Sequence, residues 1–296
     1  MRVSDRLLYE AARSSAARAR EASQAAQGVV SSGTTIEHPG DDPAGAGMMV
    51  ACSMSSDRLA AIQSATAAAS DELNAADGAL DGVSTALSRA RELAVQFASA
   101  GYSAGQRAMG AQEVASLAAQ VISDLNTQVG SRYLFGGFQD RKAPFLDDGT
   151  YVGDEGARKV EVAPGVYLQV NVRADVAIKG VAGPPSVDVL ATLQSLRAAL
   201  TANDPAAVQD TLDALDASID QVAAARAQVG TGMNTLDAAS SAAKIASGDD
   251  ETRATKQGDV DLADAAIQLQ ATQNALQASL AAAAQSFRLS ILDYLA

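Results

Sequence analysis

Residues 259–296 read DVDLADAAIQLQATQNALQASLAAAAQSFRLSILDYLA, and this stretch decides the fold. One series of residues spaced seven apart comprises Leu262, Leu269, Leu276 and Ala283. A second such series comprises Ala266, Gln273, Leu280, Phe287 and Tyr294. Two rows of this kind are typical of the a and d positions of a coiled coil. The stretch therefore predicts a long terminal helix that packs against another helix. Asp259, Asp261 and Asp264 stand at its start, where the helix dipole favours acids.

The other end of the chain predicts a second long helix, over about residues 1–30. Small and apolar residues such as Val3, Leu7, Ala11 and Ala26 recur there at helical steps, but large side chains become rare after Leu8. A helix with so little apolar surface is not stable alone in water. We therefore expect the two ends of the chain to pair with each other in antiparallel fashion.

The composition favours thin helices and excludes several classes of protein. Hydrophobic residues make up 48% of the 296 residues but aromatic residues only 4%, and alanine is the strongest helix former. A net charge of -13 disfavours nucleic-acid binding, and no apolar run is long enough to span a membrane. One cysteine and one histidine exclude a disulfide framework and a Cys/His metal site. By these rules alone the chain is a soluble cytoplasmic protein.

The middle of the chain predicts a helical bundle with a small β unit inserted in it. After a turn-rich stretch over 31–43, Asp42-Pro43 has the form of a helix start. Helical patterns fill residues 41–131 and 184–249, and a polar hinge is expected over 247–258. Between them, over 132–183, apolar residues alternate with polar ones from Val160 to Ile178, and residues 163–166 form a plausible hairpin turn.

These patterns together predict a mainly α fold: an elongated helical bundle with long terminal coiled-coil helices and a small inserted antiparallel β unit. The predicted parts are terminal assembly helices over 1–40 and 250–296, a central bundle over 41–131 and 184–249, and the β-rich insert over 132–183.

Residues with catalytic or metal-binding chemistry are few, and each has a simpler interpretation. His38 lies in the turn beside Asp41 and is interpreted as a polar loop residue, while Cys52 on a helix is interpreted as a small buried apolar residue. The aspartates at 259–264 lack the glycine and glutamate of a calcium loop, so capping is preferred. We therefore predict no catalytic, cofactor-binding or metal site, and no enzyme.

Four segments resemble the flagellin superfamily, and most closely its hook-associated protein 3 branch, which forms the hook–filament junction. They are MRVS at 1–4, VSSGTTIEHPGDDPA at 30–44, GSRYLFGG at 130–137 with YVGD at 151–154, and residues 259–295. They span nearly the whole chain in the expected order. The sequence departs from the family at Thr34-Thr35, where basic residues are usual, and at His38, where Asn is common.

The resemblance implies a structural role rather than a catalytic one. It implies terminal segments that are disordered in the free subunit and fold as a coiled coil inside an axial assembly. It further implies a secreted protein of the bacterial flagellum, exported unfolded by a type III route without a cleaved signal peptide. The implied partners are hook-associated protein 1, flagellin, further copies of the chain in a ring, and an export chaperone, with no nucleic acid and no membrane span.

The predicted assembly interface combines the apolar residues of both terminal segments. It comprises Val3, Leu7, Leu262, Leu269, Leu276, Leu280, Phe287, Ile291 and Tyr294. Two alternatives stay open at this stage. One is a main filament subunit of the flagellin type, and the other, more distant, is a cytoplasmic coiled-coil signalling module, against which the aromatic-rich insert argues.

Overall fold

A computed structural model of the chain describes residues 2–36, 38–181 and 186–295, with the side chains of 2–6, 8–9 and 286–295 left aside. Its helices are α1 (Arg2–Ser32), α2 (Pro43–Phe97), α3 (Ala104–Leu125), α4 (Ala174–Ala177), α5 (Val189–Thr201), α6 (Pro205–Asp210), α7 (Leu212–Gly258) and α8 (Leu262–Leu295). Its strands are β1 (Gln128–Val129), β2 (Arg132–Tyr133), β3 (Lys159–Ala163) and β4 (Val166–Gln169). The predicted fold class, mainly α with long terminal helices and a small antiparallel β unit, is confirmed.

The chain divides into two compact units. The terminal unit contains residues 1–58 and 246–296, and the central unit contains residues 59–245. Both α2 and α7 contribute residues to each unit, because each of these helices runs across a division point in the chain.

Long rows of buried residues hold the central unit together. On α2 the row runs at three- and four-residue steps and includes Leu73, Ala76, Leu80, Val83, Leu87 and Ala90. On α7 the buried Leu215, Val222, Val229 and Leu236 lie seven apart. The two helices are antiparallel there, since Arg226 pairs with Asp77 at 2.9 Å and Arg91 near the end of α2 pairs with Asp216 near the start of α7. Helices α3 and α5 pack on each other within the same core.

The start of α2 is capped as the sequence predicts. The Asp42 carboxylate accepts a hydrogen bond from the backbone N–H of Ala44 at 3.1 Å, and Pro43 occupies the first helical position. This arrangement satisfies a backbone donor that the helix itself leaves without a partner. The glycines at 78 and 82 do not interrupt α2, which continues to Phe97.

The far end of α2 is held by Arg107, a residue that the sequence analysis did not single out. The Arg107 side chain is 3% exposed and lies on α3. Its guanidinium donates to the carbonyl oxygens of Phe97, Ser99 and Tyr102, and to Asn203 Oδ1 at 2.6 Å. These four hydrogen bonds compensate for the burial of the charge and tie the end of α2 to two loops.

The β insert consists of two small two-stranded antiparallel sheets, β1 with β2 and β3 with β4. The predicted hairpin at residues 163–166 is confirmed: β3 and β4 meet there, with Gly165 at φ +77° after Pro164. That φ value is the left-handed conformation that a Pro-Gly turn uses. Glu72 of α2, whose side chain is 9% exposed, pairs with both Arg132 of β2 and Arg158 beside β3, and so anchors both sheets to the helix.

Two sequence-based expectations are wrong. The strand pattern does not continue to Ile178: after β4 the chain forms the short α4, where Ala174, Ala177 and Ile178 are buried at helical spacing. The polar hinge over 247–258 is also absent, because α7 continues to Gly258. Polar side chains there support the helix, with Thr252 Oγ1 donating to the Gly248 carbonyl and Arg253 lying 3.5 Å from Asp250.

One carboxyl group in the central unit predicts how stability depends on pH. Asp124 of α3 faces Gly82 of α2, and its Oδ2 is buried without a hydrogen-bond partner among the described residues. Burial raises the pKa of Asp124 above its usual value. The folded protein therefore holds this proton more tightly than the unfolded chain, and the free energy of unfolding falls as the pH rises from about 4 through the raised pKa. We expect Asp124→Asn to remove this fall, measured by urea unfolding between about pH 4 and pH 7.

A matched variant of the opposite sign is Asp148→Asn. The backbone N–H of Thr150 holds the pKa of the exposed Asp148 below its usual value. The stability from Asp148 is therefore present above the unfolded pKa and is lost as the pH falls, so this variant is less stable near neutral pH. If both variants changed stability in the same direction at neutral pH, the assignment of Asp124 would be wrong.

Candidate assembly surface

The terminal unit is built on the antiparallel pairing of α1 with α8, as the sequence predicts. α8 is the helix on which α1 packs. The segment that follows α1 and the segment that precedes α8 are joined by backbone contacts. Thr35 N–H donates to the Gly258 carbonyl at 2.7 Å, and Thr34 forms an isolated antiparallel β-bridge with Asp259. Asp261 then caps α8 by accepting from the N–H of Ala263 at 2.8 Å, so the capping interpretation is confirmed for this aspartate.

The face of α8 that packs on α1 is a row of residues that alternate steps of four and three. The row consists of Ala265, Leu269, Thr272, Leu276, Ser279 and Ala283, all buried or half-buried. This spacing is that of a coiled coil. We call the row the α8 seam.

α1 meets this seam with small side chains. Its half-buried residues over 12–26 follow the same alternation and are Ala12, Ala16, Ala19, Ser23 and Ala26. We call this row the α1 seam. Small residues let two helices approach closely, but each buries only about one methyl group, worth about 0.8 kcal/mol against about 1.5–3 kcal/mol for a buried leucine.

One of the two predicted rows on α8 is displaced by one residue. Leu269, Leu276 and Ala283 of the first row lie in the α8 seam as predicted, whereas Leu262 is exposed. Gln273 of the second row is half-buried, but that row begins at the buried Ala265 and not at the exposed Ala266. It therefore places Thr272 and Ser279 in the seam. Their hydroxyls donate to the carbonyls of Leu269 and Leu276, at 2.9 and 2.8 Å, so the seam accepts polar residues at no cost in unsatisfied groups.

Large apolar side chains that do not belong to either seam remain in water. Of the predicted interface residues, Leu7 is 62% exposed, Leu262 61% and Leu280 53%. Ile267, which lies off the heptad and which the sequence analysis therefore missed, is 67% exposed. We call Leu7, Leu262, Ile267 and Leu280 the outer apolar set. The side chains of Val3, Phe287, Ile291 and Tyr294 lie outside the described residues.

The part of α2 that belongs to the terminal unit also exposes large apolar side chains, including methionines. Met48 is half exposed, and Val50 and Met54 are exposed still further. Methionine side chains are flexible and adapt to irregular partner surfaces. Cys52 on the same helix is buried, as predicted.

The histidine considered for catalysis lies in an exposed loop. His38 is exposed, and its Nδ1 lies 3.8 Å from Asp41 Oδ2. Among the described residues, no group of three or more His, Cys, Asp or Glu side chains has the geometry to hold a metal ion. In the same part of the chain, no helix combines the length and apolar character needed to cross a bilayer.

Two leucines of α8 that differ in burial predict different effects of one substitution. We expect Leu276→Ala, in the α8 seam, to lower the stability of the α1–α8 pair by about 1–2 kcal/mol, less than for a fully buried leucine. The matched variant Leu280→Ala removes the same atoms from a side chain that is 53% exposed and should change stability by less than about 0.5 kcal/mol. Hydrogen exchange of the α8 amides measures both. Equal losses of protection would contradict the assignment of Leu276 to the seam and of Leu280 to the exposed set.

Comparisons with known proteins agree with this architecture. The family model described as the bacterial flagellin N-terminal helical region matches residues 3–140, and that of the bacterial flagellin C-terminal helical region matches residues 212–295. The chain is 27% identical over 229 residues to flagellar hook-associated protein 3 of Escherichia coli, covering 70% of this chain and 72% of that protein.

Solved structures share the fold at lower identity. A protein described as a flagellar hook-associated protein from Vibrio parahaemolyticus has a TM-score of 0.66 at 23% identity, covering 74% of this chain and all of that one. FlgL of Bacillus cereus has a TM-score of 0.59 at 23% identity, covering 70% and 99%. Hook-associated protein 3 of Legionella pneumophila has a TM-score of 0.60 at 15% identity, covering 68% and 96%. The two matched helical regions, the similarity to hook-associated protein 3 and the paired terminal helices lead to one conclusion: the chain belongs to the flagellin superfamily and resembles its hook-associated protein 3 branch.

Proposed function

We propose that this chain is a structural axial component of the bacterial flagellum that joins hook to filament by self-assembly through its terminal helices. The observation that carries the proposal is the outer apolar set, four large apolar side chains left in water on a helix pair whose own seams are made mainly of small residues.

Burial explains why this arrangement suits assembly. The α1 seam contributes alanines and one serine, so the isolated pair gains little free energy from packing. Contact with neighbouring subunits would bury the outer apolar set as well. Folding of the terminal unit is then coupled to assembly, and the last part of its stability comes from the neighbours.

The proposed division of labour follows the predicted parts of the chain. Residues 1–40 and 250–296 form the inner coiled coil of the axial assembly, with the predicted interface residues Val3, Leu7, Leu262, Leu269, Leu276, Leu280, Phe287, Ile291 and Tyr294 at its contacts. Residues 41–131 and 184–249 form the central helical bundle, and residues 132–183 form the β-rich insert.

The proposed partners are other axial flagellar proteins, namely hook-associated protein 1 and flagellin, together with further copies of this chain in a ring. An export chaperone is proposed for the chain before assembly. The proposed location is extracellular, reached by flagellar export without a cleaved signal peptide. The proposal assigns the chain no catalytic or cofactor-binding role.

Removal of the last helix tests the proposal. We expect a chain that lacks residues Gln268–Ala296 to keep the helical content and cooperative unfolding of its central unit, because the core of that unit lies within residues 59–245. In cells without the native protein it should not support filament growth, scored by electron microscopy. Normal filaments on the truncated subunit would contradict the proposed role of the terminal helices.

A substitution series separates the role of the outer apolar set from that of the helix itself. Leu262, Ile267 and Leu280 changed together to Ser should reduce the number of filaments, while the matched change of the exposed Gln270, Asn274 and Gln277 to Ser should not. If both triple variants assembled equally well, the outer apolar set would have no role in assembly.

Location distinguishes the junction role from that of a main filament subunit. The two family models are described as helical regions of flagellin, and for this reason the filament role is kept as the second candidate. We expect immunogold labelling to be confined to the hook–filament boundary. Labelling along the whole filament would assign the chain to the filament instead.

A further inference from the structure

A rigid loop on the central unit presents an aromatic side chain to solvent. Phe138 is 65% exposed and lies in the segment of residues 136–142, which we call the Phe138 loop. Exposed aromatic side chains held in fixed positions are typical anchors of protein interfaces. Two further exposed residues of the loop, Arg141 and Lys142, are cations.

Hydrogen bonds hold this loop in one conformation. The Asp154 carboxylate accepts from the N–H groups of Phe138 and Gly156, at 2.7 and 2.8 Å, and Tyr133 N–H donates to the Asp140 carbonyl at 2.8 Å. Gly137 has φ +68°, and a Cβ there would collide with the Asp154 carboxylate, so only glycine fits the turn. The backbone that carries Phe138 is thus fixed, and one side of its ring lies against Gly156, so little conformational entropy of the loop is lost when a partner covers the exposed part of the ring.

A groove with the opposite character lies elsewhere on the same unit. It has a volume of about 930 Å³, and apolar side chains that line it include Leu73, Val172, Val176 and Val229. Three carboxylates of α7, those of Asp213, Asp216 and Asp220, stand along it, and Arg173, which also lines it, is paired with Asp175 and Glu155. Asp216 is paired with Arg91, whereas Asp213 and Asp220 are exposed and have no ion-pair partner among the described residues. We call this the acid-rimmed groove.

We propose that the acid-rimmed groove binds the Phe138 loop of a second copy of this chain. Phe138 enters the apolar part, and Arg141 and Lys142 meet Asp213 and Asp220. The match of an aromatic anchor and two cations to an apolar floor and two unpaired carboxylates is what selects this occupant among the segments described. The inference rests on the proposed function, since it identifies the copy-to-copy contact of the predicted ring.

The two surfaces are different patches of one chain, so the contact is heterologous. A contact of this type repeats from copy to copy and produces a ring or a helical array, never a closed symmetric dimer. The loop does not line the groove of its own chain. Its hydrogen bonds to Asp154 and Tyr133 keep it in place, so the partner is a second molecule.

Charge reversal tests the contact in the full chain. A groove variant carries Asp213→Arg and Asp220→Arg, and a loop variant carries Arg141→Glu and Lys142→Glu. In cells without the native protein, each variant alone should give at least about tenfold fewer filaments, the effect of losing a few charge pairs in an interface. Co-expression of the two should restore filaments, because each copy then meets a complementary neighbour on both sides.

The mixture also distinguishes contact between molecules from contact within one. In each singly reversed chain the loop and groove carry like charges, so an internal contact would stay broken in the mixture. Failure of the mixture to rescue would overturn the proposal. The matched control carries Asp71→Arg and Asp237→Arg, two exposed aspartates of the same unit outside the groove, and should assemble normally.

Cross-linking in solution separates this inference from the proposed function. A full chain with Cys52→Ser, Gln139→Cys and Ala224→Cys places one thiol beside Phe138 and one in the groove. Oxidation of the concentrated protein should give a ladder of dimers, trimers and larger species, reduced at least about tenfold by Phe138→Ala. Absence of the ladder in a chain that localises to the hook–filament boundary overturns the contact alone. A ladder from a chain that does not localise there contradicts the junction role alone.

Discussion

Alanine gives a helix its strongest intrinsic preference and its least buried area, and the terminal unit depends on this combination. The α1 seam, formed by Ala12, Ala16, Ala19, Ser23 and Ala26, lets α8 lie close but gains little free energy from the contact. Both segments therefore form helices, but the pair that they make is only weakly stabilised. Large core residues would supply the missing stability in a monomer. Here neighbouring subunits would supply it, because their contacts would cover the outer apolar set.

The central unit follows the opposite rule. Leucine and valine fill the buried rows of α2 and α7, and Leu80 and Leu215 are wholly inaccessible. Two buried charged residues hold the segments outside these helical rows in place. Glu72 anchors both β sheets, and Arg107 ties the end of α2 to the loops beside it. The result is a stable platform on which a small insert can present the Phe138 loop in one orientation, which a mobile loop could not do.

Both proposals assign assembly to exposed side chains that a neighbouring subunit would cover. In the terminal unit these are the large aliphatic residues of the outer apolar set. In the central unit they are one phenylalanine, two cations and two unpaired carboxylates. The two contacts differ in kind, because apolar burial gives strength without direction, while a charged groove gives orientation and register.

Much of the architecture could be predicted from the sequence because the signals are local. Asp42-Pro43 marks a helix start, Pro164-Gly165 marks a hairpin turn, and Leu269 with Leu276 identifies a coiled-coil face. The expectation of a strand up to Ile178 was wrong because Ala174 and Ala177 suit a helix as well as an alternating strand pattern. The expected hinge at 247–258 failed because polar residues also suit an exposed helix.

The sequence by itself determined the long helices, their breaks and the pairing of the chain ends, since propensity, capping and heptad spacing act over a few residues. Tertiary structure alone decided which side of α8 faces α1, because a displacement of one residue, from Ala266 to Ala265, changes the buried row without changing the helix. It alone also placed Arg107 beside Asn203 and Glu72 between two arginines, 60 and 86 residues away. Contacts between residues so distant along the chain leave no local pattern, and they exist only once the helices have packed.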